Sequence, residues 1–240
     1  MPGVLINIGS NSSHPNGRGR VFEDFTFEYL PIPENKKTKQ KVPTYRELGF
    51  GHVKSPDLPV HLDPRFETFT YGHVERGFGD IRSLLELKKE DVLFFYATLQ
   101  KEEGWSIYII GYFRNLRVYD CRKLSEKEIL NLKSKGFADN AHLKRLQPSV
   151  DLLIQGGENS KFLRRAFPLA EEDYHLSLRE PLNEIIRTAT RKRVRSGTPW
   201  FRWTLICEDS VQLLDMISHC DIRDRCQRKS TRSCQSGSRL

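Results

Sequence analysis

Two short stretches pair a histidine with a polar partner two positions away. In "HLDP" (61–64) the pair is His61 and Asp63; in "NAH" (140–142) it is Asn140 and His142. On a strand, residues two apart share one face. There an aspartate can orient an imidazole for acid–base work or join it on a metal. An asparagine can read an adenine-like edge through two hydrogen bonds, and a neighbouring histidine can act as a base or donate to phosphate. Tyr71 and His73 follow closely enough to face the same pocket, whereas Phe66 and Phe69 read as core. Each pair also has a plainer reading as a turn: Asp63 bonding backbone groups ahead of Pro64, and Asn140 opening a capped turn after a helix. His61, Asp63 and His142, with His14, would make up a metal set if they met. Nothing in the sequence shows that they converge, so the sequence reading assigns no metal and leaves any cofactor unknown.

Phosphate or base contacts have further candidates. The loop "IGSNSSHPNGRGR" (8–20) offers Asn11, Ser12, His14, Arg18 and Arg20 as rim contacts after a first strand. It lacks the lysine and spacing of a phosphate-binding P-loop, which removes triphosphatase chemistry as its purpose, and an ordinary polar loop is the alternative. "LKRL" (143–146) adds Lys144 and Arg145, and "WFRW" (200–203) adds Trp203, which could stack a base, although core packing is the simpler role. "GGENS" (156–160) reads as an ordinary turn. No Walker motif, GxSxG, HExxH or Rossmann fingerprint occurs, and Cys121 and Cys207 sit in apolar text as structural thiols.

The elements that must position these residues need a core, and 240 residues with 38% hydrophobic content supply one. The net charge is +8 and the pI about 9.3, with a mean hydropathy of −0.56. Half of that charge sits in the tail beyond residue 220, which has no core pattern and reads as disordered. The remainder gathers in "KKTKQK" (36–41), "LKRL" and "RKRVR" (191–195), which suits a polyanion or a set of solvated loops. Five cysteines without a secretion signal argue against a disulfide framework. No apolar run approaches the ~20 residues of a membrane helix, and the expected location is the cytoplasm.

Along the chain, 4–8 reads as a buried strand and 20–33 as a short hairpin around Asp24 or an extended, proline-ended segment. Residues 34–59 read as a long loop with a helical turn near Tyr45–Leu48. Asp80–Leu87 has the spacing of a short amphipathic helix, 91–99 is a continuous apolar strand, and 106–120 is a strand pair or one bent strand. Gly111 marks a bulge or close approach. Ser125 and Glu128 form a capping box for a helix ending at Gly136. Then follow a strand over 150–157, helices over 160–168 and 180–194, a strand over 200–207 and a helix over 210–220 capped by Ser210. This order, without regular βαβ alternation, predicts an α+β fold with a mostly antiparallel sheet. It places one domain over 1–220 and a basic tail over 221–240.

Several segments together carry a likeness: "FEYLPIPE" (27–34), "HLDPRFETFTYG" (61–72), "LEL" and "DVLFFYATL" (85–99), "IIGYF" (109–113), "NAH", "DLLIQGGENSKFLRRAFPL" (151–169) and "WFRW". Over residues 3–218 the chain resembles the nucleotide-modification-associated domain family, the third of the similarly named α+β families of prokaryotes and their phages. The resemblance implies a part in making or handling modified nucleotides, without an established reaction. "DVLFFYATL" followed by "SIYIIGYFRNLRV" is also similar to the central strands of PUA, ASCH and EVE barrels, with Glu90 standing where glycine is usual. That likeness implies a strongly bent or barrel-like sheet with flanking helices.

The leading expectation is a module that binds nucleic acid or a nucleotide. The second is an enzyme acting on a nucleotide or base, with His61, Asp63 and His142 catalytic and Tyr71, Asn140 and the basic residues binding. The third is a protein-interaction accessory subunit. The sequence leaves the oligomeric state open.

Overall fold

The structure, a computed structural model, describes residues 1–9, 13–75, 81–170, 178–188 and 204–220. Its centre is β3 (Val92–Gln100), whose unbroken apolar run lets it be covered on both faces. Leu93, Phe95, Ala97 and Leu99 point into one core, and Val92, Phe94 and Tyr96 into a second. β3 pairs antiparallel with β4 (Trp105–Phe113) and parallel with β1 (Gly3–Asn7). The sheet extends to β7 (Lys161–Pro168) beyond β4, and to β9 (Leu205–Cys207) and β8 (Ile186–Thr188) beyond β1. A second, antiparallel sheet joins β2 (Thr70–His73), β6 (Leu152–Gln155) and β5 (Arg117–Asp120), with β6 in the middle.

The fold is thus α+β, and β1 with β3 is the parallel pairing in otherwise antiparallel sheets. The sheet, expected to be strongly bent or barrel-like, is not closed into a barrel: the order β7-β4-β3-β1-β9-β8 leaves β7 and β8 as edges among the described residues. The two halves of 106–120 fall into different sheets, which a continuous barrel strand would not do. Gly111 is a close approach beside a register shift. A Cβ there would stand 2.4 Å from a ring carbon of Phe66.

The predicted helices divide. α1 (Ile81–Leu85) buries Ile81 and Leu84 as its spacing requires. α2 (Glu126–Asn131) has its full capping box from Ser125 and Glu128, continues as a 3-10 turn, and ends at Gly136 with φ 99°. The helix expected over 160–168 is instead the edge strand β7. Its Leu163, Ala166 and Phe167 are buried, and at an open edge Pro168 interrupts no ladder. Of the helix expected over 180–194, the described part is a single turn, α4 (Leu182–Ile185), before β8, and 189–194 lie outside the described residues. Pairing with β9 overrides local helix propensity there, and the β-branched Ile186 and Thr188 suit it. In the helix over 210–220 the cap is Asp209, which accepts from the amides of Val211 and Gln212, while the Ser210 hydroxyl donates to the Met1 carbonyl. The hairpin around Asp24 and the turn at Tyr45–Leu48 are present. Cys121 and Cys207 are buried, and burial pushes their thiols up to about 11 and about 12, which suits packing rather than reactivity. Among the described residues no helix is long and apolar enough to cross a membrane.

Candidate functional site

β2 supplies the floor of the site. The amide of Gly72 donates to both carboxylate oxygens of Asp63, at 2.9 and 3.1 Å. Asn140, wholly buried, donates from Nδ2 to Asp63 Oδ1 at 3.1 Å. Its own Oδ1 accepts from the amide of His142 and so caps α3 (Ala141–Lys144). The turn reading of "NAH" holds, and the cap is what brings His142 over Asp63. Neither pair lies on a strand; His61 and Asp63 occupy an irregular segment in which the His61 amide donates to the Ile32 carbonyl and the Asp63 amide to the His61 carbonyl.

Three of the sequence-predicted residues meet. A nitrogen of His61, a carboxylate oxygen of Asp63 and a nitrogen of His142 all lie within 4.8 Å of one another, and all three residues are buried. His142 Nε2 is 3.4 Å from Asp63 Oδ2. The two imidazoles meet edge to face at 87°, with centroids 4.8 Å apart.

The outer nitrogen of each ring is anchored. His61 Nδ1 lies 2.7 Å from Oε2 of Glu34, an acceptor, so Nδ1 carries the proton. His142 Nδ1 lies 2.9 Å from the Ser149 carbonyl, and the same assignment follows. The Arg145 guanidinium lies 3.2 Å from His142 Nδ1 and 3.3 Å from His61 Nδ1, and it donates to the two oxygens of Glu34, each at 3.2 Å. Burial alone would raise the Glu34 carboxyl. The hydrogen bonds from His61 and Arg145, with that from the Lys36 amide, outweigh it and hold the group down at about 2.

Tyr71 and His73 stand at the edge of this cluster, joined by a 2.9 Å hydrogen bond between the Tyr71 hydroxyl and His73 Nδ1. Burial, helped by the nearby Asp63 charge, raises the Tyr71 hydroxyl strongly, and burial lowers His73. Tyr29, partly buried, is raised chiefly by the same two causes, and its hydroxyl reaches the Asp63 carbonyl at 3.5 Å.

Two basic clusters that are far apart in sequence come together beside the histidines. Thr38 bridges Arg145, the Lys39 amide donates to the Lys144 carbonyl, and the Leu146 amide donates to the Lys37 carbonyl. Between these segments opens a pocket of about 580 Å³ lined by Lys36, Lys37, Arg145, Leu146, Gln147, Pro148 and Ser149. Its size is that of a small-molecule site. Arg145 and Ser149 connect it to the cluster, since both also contact His142.

The remaining candidates have other partners. Lys144 is paired with Asp139 at 2.8 Å. Arg18 lies over the Trp105 ring at 4.7 Å, and Arg20 bridges Gln100 and faces Glu28 at 4.0 Å, which puts both at the end of β3. The His14 carbonyl closes a turn onto Gly17, and burial lowers its imidazole. Asn11, Ser12, Trp203, the "RKRVR" run and the tail lie outside the described residues. In the described part of loop 9–20, Gly9 packs on the Tyr29 ring, while His14, Arg18 and Arg20 have the partners given above. The sequence reading missed Glu34, Gly72 and Ser149. For Gly72 a signal existed, because a glycine inside a strand pattern marks a close backbone approach.

The family model described as nucleotide modification associated domain 3 matches residues 3–212. No curated protein and no solved structure gives a significant match. The match spans most of the chain, and the chain belongs to that family.

Proposed function

We propose that this member of the nucleotide modification associated domain 3 family is an enzyme that acts on a nucleotide or on a base of a nucleic acid. The observation that carries the reading is the convergence of His61, Asp63 and His142 beside a pocket edged by Lys36, Lys37 and Arg145. A module that only recognises a base needs donors and acceptors matched to that base. It does not need two imidazoles whose outer nitrogens are fixed by a carboxylate and a carbonyl, so that both inner nitrogens are bare. That arrangement suits proton transfer. The lysines hold the substrate's phosphate, the Nε2 atoms of His61 and His142 take and return a proton, and Asp63, fixed by Gly72 and Asn140, steadies the charge that forms on His142.

The test is a panel of ribo- and deoxynucleotides and modified oligonucleotides, assayed for binding and turnover with wild-type protein, His61→Ala and His142→Ala. Turnover by the wild type that falls by 10²-fold or more in both variants while binding persists is the expected result. Binding without turnover by the wild type makes the protein a recognition module, and turnover unaffected by both substitutions places the chemistry elsewhere.

A further inference from the structure

We infer that His61, Asp63 and His142 together hold one divalent first-row transition-metal ion. The inference deepens the reading above, on whose site it rests. With Nδ1 of both rings donating outward, each imidazole keeps a lone pair on Nε2. The His142 lone pair then faces a carboxylate oxygen across 3.4 Å, acceptor against acceptor. A cation between them turns that repulsion into coordination.

The surroundings match what a metal needs. Around a zinc ion with bonds of 2.0–2.1 Å, tetrahedral ligands stand ~3.4 Å apart. Asp63 and His142 already have that spacing, and the full set lies within 4.8 Å, so closing it takes ~1 Å of side-chain adjustment. Each ligand has an outer partner of the kind that orients metal ligands: Glu34 on His61, the Ser149 carbonyl on His142, and Gly72 with Asn140 on Asp63. The charges agree as well. Arg145 is matched by Glu34 on the outer side, while the Asp63 carboxylate, its side chain 4% exposed, lies beside the two rings. Two imidazoles and one carboxylate leave coordination positions open for water or substrate oxygen, as catalytic rather than structural sites do. Beside them, the buried Nε2 of His73 has no hydrogen-bond partner among the described residues.

The test uses the full chain, stripped with chelator and titrated with Co²⁺ under optical detection, then with Zn²⁺ in competition. One Co²⁺ per chain is expected, with d–d absorption and no thiolate charge-transfer band. Cys220→Ser, Cys226→Ser and Cys234→Ser combined should leave it unchanged, which excludes the cysteine-bearing C-terminal segment. Asp63→Ala and His142→Ala should each lower affinity at least 100-fold, with circular dichroism confirming the fold. Glu34→Gln should lower it 10–100-fold while keeping one site. Failure of the wild type to take up Co²⁺, or uptake indifferent to His142→Ala, overturns the inference. Nucleotide turnover that survives chelation yet needs His61 sinks the metal and spares the enzyme. Metal bound at the cluster in a protein that neither binds nor converts any nucleotide does the reverse.

Discussion

The backbone of Gly72 runs directly beneath the imidazole of His142: a Cβ on Gly72 would stand 2.6 Å from His142 Cδ2 and 3.2 Å from Asn140 Oδ1. The same residue donates its amide to Asp63, so one glycine sets the spacing of three site residues. Gly72→Ala must therefore displace the ring or the strand. We expect a destabilisation of ~1–3 kcal/mol, typical of overpacking, measured by urea unfolding. Nucleotide turnover should fall further than stability does. Unchanged turnover with unchanged stability would mean that the ring has room to move.

Glu34 and Arg145 form a buried ion pair, and removing one partner strands the other. Arg145→Ala should cost ~3–5 kcal/mol, while Glu34→Leu combined with Arg145→Met should recover much of the loss. Chemical denaturation of the three proteins at neutral pH decides this.

The same carboxylate gives stability a pH dependence. Its folded value is depressed to about 2 from an ordinary 4.5, so its contribution is fully present above pH ~4.5 and is lost as pH falls through about 2. The stability gap between wild type and Glu34→Gln should be constant from pH 5 to 7 and shrink steadily between pH 4.5 and 2. A gap that instead widens on acidification would contradict the assignment of Glu34 as the ionised partner.

Asn140→Asp tests the hydrogen bond to Asp63. The substitution keeps the helix cap but sets two carboxylates about 3.1 Å apart, where both cannot ionise freely. Turnover should drop at neutral pH and recover in part as pH is lowered toward the raised carboxyl value. A pH profile identical to the wild type's would show that Asn140 does not touch the working carboxylate.

Lys36→Ala and Lys37→Ala concern the pocket alone. Both side chains are exposed, so stability should stay within ~0.5 kcal/mol of wild type. Nucleotide affinity should weaken, and the salt dependence of binding should become shallower with each lysine removed. Weaker binding with an unchanged salt slope would argue that these lysines meet no phosphate.

The histidine pairs were legible because their spacing is local, and the strands around them because β3 and β4 are apolar runs with turn residues between. Glu34 was not legible. Its partners lie 27 and 111 positions away, and in a lysine- and proline-rich loop it reads as one more solvated charge. Arg145 reads as a phosphate contact because it sits in a basic run; folding buries it against Glu34, at the pocket wall. Residues 160–168 read as a helix because Ser160 resembles a cap. The Ser160 hydroxyl is in fact used by the Arg114 amide and carbonyl, and pairing with β4 sets the conformation. What local chemistry determines was visible in the sequence, and what long-range pairing determines was not.

The most direct measurement of the central claim is imidazole ¹⁵N spectroscopy of the histidine-labelled protein, titrated with deoxynucleoside monophosphates. The account predicts Nδ1-protonated rings for His61 and His142, with their Nε2 signals moving as nucleotide binds, while those of the exposed His52 and His219 stay in place. Movement confined to the exposed histidines, or none at saturating nucleotide, would contradict it.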